Sequence, residues 1–211
     1  MPATGGRGSD HRSAGSLRGR ALDAAMRLVE AEGAERISLR ILADALNTGP
    51  ASLYYHFESK DDLLAEVSAE GFRRLERGFL AARKRRRPRP LVYAYGSIYL
   101  GFLRRYPALY RLMFDERFLG THPKARAAEQ ETFNTFAAAL SQQSDDGVGL
   151  AFALWALGRG TAALCIAAGE PNQQEARRVA RHVATGLEAV LGHSVRRIAR
   201  PRRCDRANLS D

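Results

Sequence analysis

The amino-acid sequence predicts an all-α protein, with an N-terminal three-helix domain followed by a larger C-terminal helical domain. In most segments apolar residues recur at intervals of three and four, which is the spacing of one helix face. Proline and glycine fall mainly between these segments, and the composition is rich in alanine, leucine and arginine, which favour helices. The 211 residues are 45% hydrophobic, enough to bury the cores of one medium and one small domain.

The first two helices follow from amphipathic patterns with clear ends. Residues 17–32 place four apolar side chains at the helical spacing: Leu22, Ala25, Met26 and Val29. Gly33 predicts the end of this helix. Ser38 is a suitable cap for a second helix over 39–46, from which Arg40 points outward.

The third helix is predicted to be short, about two turns, and to follow a tight turn. The turn is "NTGP" (47–50), and proline suits the first helical position because no backbone donor is needed there. Leu53 and Phe57, four residues apart, are expected to face the core. At about 100° per residue, the opposite, outward face and its flanks carry Ala51, Ser52, Tyr54, Tyr55 and His56.

A long fourth helix is predicted to begin after Ser59, with Asp62 at the capping-box position, and to extend to about Arg83. Further helices are predicted over 91–106, 108–114, 124–142, 147–168 and 173–191, with a looser stretch at 115–123. We divide the chain into a disordered tail (1–16), an N-terminal domain (17–64), a C-terminal domain (65–192) and a basic flexible tail (193–211).

The apolar segment 147–169 is long enough to cross a membrane, but Arg159 lies near its centre, where a charge costs about 2.5 kcal/mol or more. A helix packed between protein neighbours is the better interpretation. Cys165 and Cys204 belong to no Cys-x-x-Cys or Cys/His spacing, so neither a disulfide framework nor a metal site is expected. The polar N-terminal stretch does not resemble a secretory signal, and a cytoplasmic location is expected.

The basic charge of the chain is concentrated at its two ends. The net charge of +10 divides into +5 for residues 1–90, +1 for 91–191 and +4 for 192–211. A basic end beside a nearly neutral body suggests a polyanionic partner at that end. A generally arginine-rich proteome is the alternative explanation.

Three short helices with a Gly-Pro turn between the second and third describe a helix-turn-helix unit, whose second helix enters the major groove of DNA. Such a helix must be small at its N-terminus, as Ala51 and Ser52 allow. The helix N-terminus near Ser38 adds backbone donors and a favourable dipole for phosphate. Around the entry point, several side chains can reach phosphate oxygens: Tyr54, Tyr55, His56 and Lys60.

Residues 17–64 resemble the DNA-binding domain of TetR-family transcriptional regulators. The matching stretches are "ISLRILADAL" and "TGPASLYYHFESKDDLL", and the most specific is the pattern Leu-Tyr-x-His-Phe-x-x-Lys-x-x-Leu at 53–63. The resemblance implies that Arg40 and the start of the third helix (Pro50, Ala51 and Ser52) face the bases. It places phosphate contacts at Tyr54, Tyr55, His56 and Lys60, and we add Ser38 and Thr48 to the predicted DNA-binding residues.

One departure from the family pattern bears on base recognition. Thr-Gly-Pro-Ala replaces the commoner turn sequence, and Pro50 and Ala51 have no side-chain donors, so recognition is expected to depend on Arg40, Ser52 and methyl contacts. Simpler roles stay open for three of the phosphate candidates. Tyr54 can serve mainly in packing, His56 can be a structural hydrogen-bonding histidine, and Lys60 can be a solvated charge at a helix start.

The C-terminal domain has a second resemblance, to a TetR subgroup whose ligand domain carries Trp-x-x-x-His-Gly. "YPALYRLMF" (106–114) and "WALGRG" (155–160) carry it, but Arg159 stands where that histidine would be. A charged side chain in the most apolar stretch needs a partner. Two are considered: an internal carboxylate, Glu129 or Glu131, or an anionic or strongly polar group of a ligand.

Aromatic residues are concentrated in one part of this domain. Of 17 in the chain, 12 lie between residues 93 and 155. This enrichment suits a ligand pocket, and it equally suits an ordinary core. The predicted pocket residues are Tyr95, Tyr99, Phe102, Met113, Phe133, Phe136, Phe152, Trp155 and Arg159.

Together these features predict a sequence-specific transcriptional regulator, by family default a repressor that a small-molecule effector releases from its operator. The predicted partners are palindromic double-stranded DNA and a second copy of the chain, paired through 147–168 and 173–191, with no cofactor, metal or membrane. None of the five histidines belongs to a recognisable nucleophile or metal motif, which argues against an enzyme. The other rival is an architectural DNA binder without sequence choice, which a specific footprint on a short palindrome would distinguish.

Overall fold

A computed structural model describes residues 16–83, 91–142, 146–167 and 178, and within them every regular element is an α-helix, as predicted. The helices are α1 (Leu17–Glu32), α2 (Leu39–Ala45), α3 (Pro50–Tyr54), α4 (Lys60–Arg83), α5 (Leu91–Arg105), α6 (Pro107–Met113), α7 (Glu116–Thr121), α8 (Pro123–Ser141) and α9 (Gly147–Ala167). The helix predicted at 173–191 and the predicted tails at 1–16 and 193–211 lie outside the described residues, apart from Ser16 and Arg178.

Serine caps set the starts of α2 and α4, as the sequence predicts. The side chains of Ser38 and Ser59 accept hydrogen bonds from the backbone N–H groups of Ile41 (3.1 Å) and Asp62 (3.0 Å). The predicted capping box is displaced by one residue, because the Asp62 carboxylate accepts from the N–H of Glu58 (3.2 Å) rather than from that of the cap. Both helices therefore begin where local side-chain chemistry satisfies their first donors.

The expectation of a looser stretch at 115–123 is wrong, because most of it forms α7. Asp115 precedes the helix, and its carboxylate accepts from the N–H groups of Arg117 (2.9 Å) and Phe118 (3.3 Å). This side-chain cap, followed by the acidic Glu116 in the first turn, stabilises a helix of six residues.

Helix α3 is shorter than the two-turn helix expected, since it ends at Tyr54. Beyond it the chain tightens, and the N–H groups of His56 and Phe57 both donate to the carbonyl of Leu53 (2.9 Å each). The expected core positions are nevertheless confirmed, because Leu53 and Phe57 are fully buried. The tightened turn thus brings Phe57 into the core, as a second helical turn was expected to do.

Helix α4 is central to the fold and packs against α1, α5, α6 and α8. It contributes the buried side chains of Phe72, Leu75 and Phe79 to the core. At Gly71 it approaches α6 so closely that an added Cβ would overlap the thioether of Met113. A larger residue at this position would therefore fit only if the buried side chain of Met113 moved.

The chain divides into one unit that ends at Arg159 and a second that begins at Gly160, to which the last residues of α9 belong. Among the described residues, no helix combines the length and the apolar character that crossing a membrane requires. Helix α9 is among the helices to which this finding applies.

Candidate nucleic-acid interface and aromatic cluster

Helix α3 has one buried and one exposed side. Leu53 and Phe57 are buried in the core of the N-terminal helices, whereas Ala51 and Ser52 are exposed at the start of the helix. Tyr55 is 87% exposed and Tyr54 58% exposed. Two adjacent tyrosines with this exposure form a surface with polar tips that is suited to a polar partner. The outward face predicted from the helical spacing is thus confirmed.

The turn before α3 is held by backbone geometry. Asn47 has a φ of 50°, in the left-handed region, and asparagine tolerates this region better than most residues. The N–H of Thr48 then donates to the carbonyl of Ala43 (3.0 Å), which returns the chain towards α2. The turn lies where the sequence predicts it, and the left-handed conformation of Asn47, which was not predicted, makes it possible.

The predicted DNA-binding residues differ in how firmly they are held. Arg40 is exposed on α2, which packs against α3. The ammonium group of Lys60, at the start of α4, donates to the backbone carbonyl of Glu35 and so ties α4 to the loop before α2. Lys60 is therefore not simply solvated, and two of its three donors remain for other acceptors.

The remaining predicted contacts lie on the same elements. Ser38 and Thr48 are half-buried, and Pro50 is exposed at the first position of α3. His56 is half-buried, and its ring centre lies 5.2 Å from that of Tyr55 and 6.5 Å from that of Phe57, both in edge-to-face arrangements. This position, between the exposed ring of Tyr55 and the buried ring of Phe57, fits a histidine that packs against both rings at the end of α3.

An ion-pair network joins the N-terminal helices to α8. The carboxylate of Glu66 on α4 pairs with Arg18 on α1 (2.6 Å) and with Lys124 on α8 (2.8 Å). Lys124 also pairs with Asp62 (3.0 Å). Burial raises the pKa of Glu66, but the hydrogen bonds and charges of Lys124 and Arg18 outweigh it and lower the pKa below the ordinary value. This network was not predicted from the sequence, because its partners are far apart along the chain.

Two models of known protein families match this chain. The model described as bacterial regulatory proteins, tetR family, matches residues 21–67. The model described as tetracyclin repressor-like, C-terminal domain, matches residues 92–190, and the two matches together cover more than half of the chain. The chain belongs to the TetR family. It is a DNA-binding transcriptional regulator, from a family of regulators rather than enzymes.

Solved structures share the fold of this TetR-family chain. A protein of unknown function from Rhodococcus sp. RHA1 has a TM-score of 0.63 at 21% identity, covering 86% of this chain and 98% of that one. A TetR transcriptional regulator from Legionella pneumophila has a TM-score of 0.60 at 18% identity, covering 81% and 97%. The multidrug binding protein EbrR, complexed with imidazole, has a TM-score of 0.57 at 24% identity, covering 80% and 94%. No curated protein matches the chain.

The C-terminal body of this TetR-family protein contains a connected cluster of aromatic rings. The ring centres of Phe79 and Tyr95 are 4.6 Å apart, and those of Tyr95 and Phe136 are 4.8 Å apart. Trp155 on α9 lies against Phe136 (6.1 Å) and Phe133 (5.6 Å). Edge-to-face and tilted arrangements predominate, as the ring quadrupoles favour. Helices α4, α5, α8 and α9 are thus joined through aromatic contacts.

Two tyrosines provide the polar part of this aromatic cluster. The hydroxyl groups of Tyr99 and Tyr110 form a hydrogen bond of 2.6 Å. Burial raises the pKa of Tyr110 to about 12 and that of Tyr99 well above its ordinary value, so both are neutral at physiological pH. The two hydroxyls carry two hydrogens and the bond between them uses one, so the pair can donate one further hydrogen bond.

Arg159 lies beside the aromatic cluster and belongs to a ring of alternating charges. It pairs with Glu116 on α7 and with Glu129 on α8, the latter at 3.5 Å. Arg126 pairs with the same two carboxylates, at 2.7 and 2.6 Å. The guanidinium carbon of Arg159 also lies 5.3 Å from the centre of the Phe114 ring. The two arginines lower the pKa of Glu116, with Arg126 the larger cause.

This geometry decides between the internal partners considered for Arg159. A pairing with Glu129 is confirmed, whereas Glu131 is exposed on α8 and forms no ion pair among those found in the described residues. Glu116 was missed because its segment was not expected to be helical. A ligand role for Arg159 stays a prediction, as does the subgroup resemblance.

The other predicted pocket residues fall into two sets. One set is buried: Tyr95, Tyr99, Phe102, Met113, Phe133 and Phe136. The other set is more accessible, with Trp155 half-buried and Phe152 61% exposed, although Phe152 still lies 4.6 Å from the ring of Phe133. Phe102 pairs with Tyr106 (5.2 Å). Tyr110 and Phe114 were not among the predicted pocket residues, although their spacing of four places them on one side of the helix predicted over 108–114.

Proposed function

We propose that this TetR-family protein is a repressor that binds a palindromic operator as a homodimer and leaves it when a small-molecule effector occupies its body. The observation that carries the DNA-binding part is the exposed side of α3, where Tyr54 and Tyr55 present their rings and hydroxyls to solvent beside the small residues Ala51 and Ser52. A short helix with a small N-terminus and polar flanks fits a major groove.

Within this proposal the exposed side chains have two tasks. Arg40 and Ser52 contact base edges, since an arginine fork suits guanine and a serine hydroxyl accepts or donates to any base. The others contact the DNA backbone and set the register: Ser38, Thr48, Tyr54, Tyr55, His56 and Lys60. Pro50 and Ala51 contribute close approach and apolar contact.

The exposed half of α9 supports pairing with a second copy of the chain. It carries Val148, which is 52% exposed, Phe152 and Leu157, with Gly149, Ala153 and Ala156 between them. No charged residue lies on this exposed half between Val148 and Leu157, which is unusual for a helix face in contact with water. The small residues allow another helix to approach closely. The predicted partner helix at 173–191 lies outside the described residues, apart from Arg178.

The dimer and its operator can be tested together. Duplexes selected by the protein from a random library are expected to share a palindrome, and sedimentation is expected to show a dimer. With roughly 6–10 phosphate contacts, affinity is expected to fall by about 10³ to 10⁵ between 50 and 200 mM salt.

Val148→Asp is expected to give a folded monomer with greatly weakened operator binding, whereas Ala127→Asp, on the exposed side of α8, keeps the dimer. A monomer that protects a two-fold site would contradict the proposal.

We assign effector binding to the aromatic cluster and Arg159. Arg159 is shared between Glu116 and Glu129, and the carboxylate of Glu116 is exposed, so an anionic or strongly polar effector group can replace Glu116 as its partner. The similarly folded EbrR is a multidrug binding protein. The effector would favour a conformation of the C-terminal body in which the two DNA-binding heads no longer match the operator spacing. The head is the N-terminal domain, residues 17–64, of each chain.

Effector binding is tested with a panel of aromatic carboxylic acids, measured by thermal shift and by release of the selected duplex. Acids that stabilise the wild type are expected to release the duplex. Arg159→Ala is expected to remain folded and DNA-bound, with release much weakened. Equal release by wild type and Arg159→Ala would remove Arg159 from the effector site.

A further inference from the structure

Glu30, near the end of α1, makes a contact that crosses from the N-terminal helices to the body. Its two carboxylate oxygens accept hydrogen bonds from the backbone N–H groups of Ala108 (3.3 Å) and Leu109 (3.1 Å), at the start of α6. Tyr106, which precedes α6, provides no side-chain cap. The first donors of α6 are therefore satisfied by a residue 78 positions earlier in the chain.

Helix α6 leads directly from this contact to the aromatic cluster. Leu109 and Met113 are fully buried, and Tyr110 is hydrogen-bonded to Tyr99. Phe114 caps the C-terminal end of α6 and lies under the guanidinium group of Arg159. Seven helical residues rise about 10 Å, so one short rigid element spans from the Glu30 carboxylate to the Arg159 region.

On the other side, Glu30 is close to the DNA-facing elements. It lies three residues before Gly33, whose φ of 87° ends α1, and eight residues before Ser38, the cap of α2. Helix α1 packs against α2 as well as against α6. The Glu30 carboxylate, which holds the start of α6, is therefore separated from the start of the helix-turn-helix by only eight residues of chain.

We propose that Glu30 is a positioning residue that couples α6 to the DNA-binding head, so that the position of α6 and the orientation of α2 and α3 change together. This inference rests on the proposed function, in which an effector changes the body and thereby DNA affinity. Apolar packing between α1 and α6 permits sliding, whereas a carboxylate that accepts two backbone donors is directional and charge-assisted. Losing either bond leaves helix donors without their partner.

Coupling between two sites is reciprocal, which allows a test without any effector. If α6 controls the head, then DNA bound to the head must change α6. The probe is a duplex selected by the wild-type protein from a random library. The readout is amide hydrogen exchange at Arg111, Leu112 and Met113, in the second half of α6, with and without that duplex.

In the wild type, the duplex is expected to slow exchange at these three amides by about fivefold or more, the lower end of typical coupling. Glu30→Ala is expected to bind the duplex, because α2 and α3 are unaltered, but to lose this response. Glu30→Gln keeps one acceptor oxygen and is expected to retain part of it. Glu32→Ala removes an exposed carboxylate from the same helix end and is the matched control, with a wild-type response expected.

A purely structural cap gives a different result. In that case Glu30→Ala melts at a lower temperature and its α6 amides exchange faster, but the duplex slows them by the same factor as in the wild type, which would overturn the coupling. A wild-type protein that binds its duplex without any change in α6 would overturn it as well. Failure to select any duplex would refute the proposed function, and the coupling with it.

Discussion

At the scale of single residues, Arg40 and Lys60 differ in a way that predicts different effects on DNA binding. Arg40 is exposed on α2 and is proposed to contact base edges, whereas the ammonium group of Lys60 donates to the carbonyl of Glu35 and has two further donors to offer. We expect Arg40→Ala and Ser52→Ala to relax sequence choice, at a cost of about 1–3 kcal/mol for the preferred base. Lys60→Ala is expected to weaken binding to all duplexes about equally and to reduce the salt dependence.

Competition assays on single-base variants of the selected duplex measure these effects. Arg27→Ala, which removes an exposed arginine of α1, is the control for loss of a positive charge. Equal losses from Arg40→Ala, Ser52→Ala and Lys60→Ala across every duplex would contradict the division into base and phosphate contacts.

Arg159 predicts a second residue-scale effect, on stability. Arg159→Ala is expected to lower the free energy of unfolding by only about 1 kcal/mol, because the pairs are partly exposed and Glu129 keeps its pairing with Arg126. Arg159→Lys keeps the charge but lacks the fork that reaches both Glu116 and Glu129, so it is expected to restore part of the loss. Denaturant unfolding measures both. An Arg159→Ala variant with wild-type stability and wild-type effector response would contradict both roles considered for this residue.

At the scale of helices, the close approach of α4 and α6 gives a matched pair of glycine substitutions. A Cβ at Gly71 would overlap the buried side chain of Met113, so Gly71→Ala is expected to destabilise the protein by about 1–3 kcal/mol. A Cβ at Gly96, exposed in α5, meets nothing within 4 Å. Gly96→Ala is therefore expected to stabilise it by about 0.5–1 kcal/mol through helix propensity.

Thermal and denaturant unfolding of the two variants decide the point. A Gly71→Ala variant as stable as Gly96→Ala would mean that Met113 moves aside freely and that α4 and α6 are not tightly packed. Combining Gly71→Ala with Met113→Ala separates overlap from other causes, since the second change removes the thioether that an alanine Cβ at position 71 would meet.

Helix positions were largely predictable because their determinants are local. Ser38, Ser59 and Gly33 mark helix ends through bonds and backbone angles that involve residues within four positions. The misjudged stretch at 115–123 also had a local signal, Asp115 before Glu116, which the apolar spacing outweighed. The early end of α3 at Tyr54 depends on how Phe57 enters the core, and that is set by tertiary packing.

At the scale of the whole molecule, acidic residues with lowered pKa values predict how stability depends on pH. Hydrogen bonds from arginines and Lys124 lower the pKa values of Glu66 and Glu70 despite burial, and Arg126 and Arg159 lower that of Glu116. A lowered folded-state pKa means that the unfolded chain takes up protons first as pH falls. The stabilisation is therefore present above the ordinary value of 4.5 and is lost as pH falls through the folded-state values.

Melting temperatures between pH 7 and pH 3 test this for Glu66. Glu66→Gln is expected to be less stable than the wild type at pH 7 by about 1 kcal/mol or more, because the charge-assisted bonds from Arg18 and Lys124 are weakened. Its loss of stability below pH 4.5 is expected to be smaller. Parallel pH profiles for the two proteins would contradict the assignment.

Long-range contacts of the site were the part that the sequence did not predict. Lys124 meets Asp62, 62 positions away, and Glu30 meets Leu109, 79 positions away. Helical spacing places side chains on faces but does not say which faces meet. Of the two carboxylates expected for Arg159, Glu129 is confirmed, and both were expected because consecutive helices in an all-α domain tend to be neighbours. The exposed side of α3 was predictable because it depends on the helical spacing of a single short helix.

The uncharged, exposed half of α9 has a consequence for how much regulator a bacterial cell must hold. If a second copy covers this surface, association stabilises the folded chain by mass action, and the melting temperature rises with protein concentration. A newly made chain exposes Val148 and Phe152 until it meets its partner, and in that interval it is open to proteolysis and misassociation. The lifetime of each subunit then depends on the abundance of the others, so occupancy of the operator rises more steeply than gene dosage.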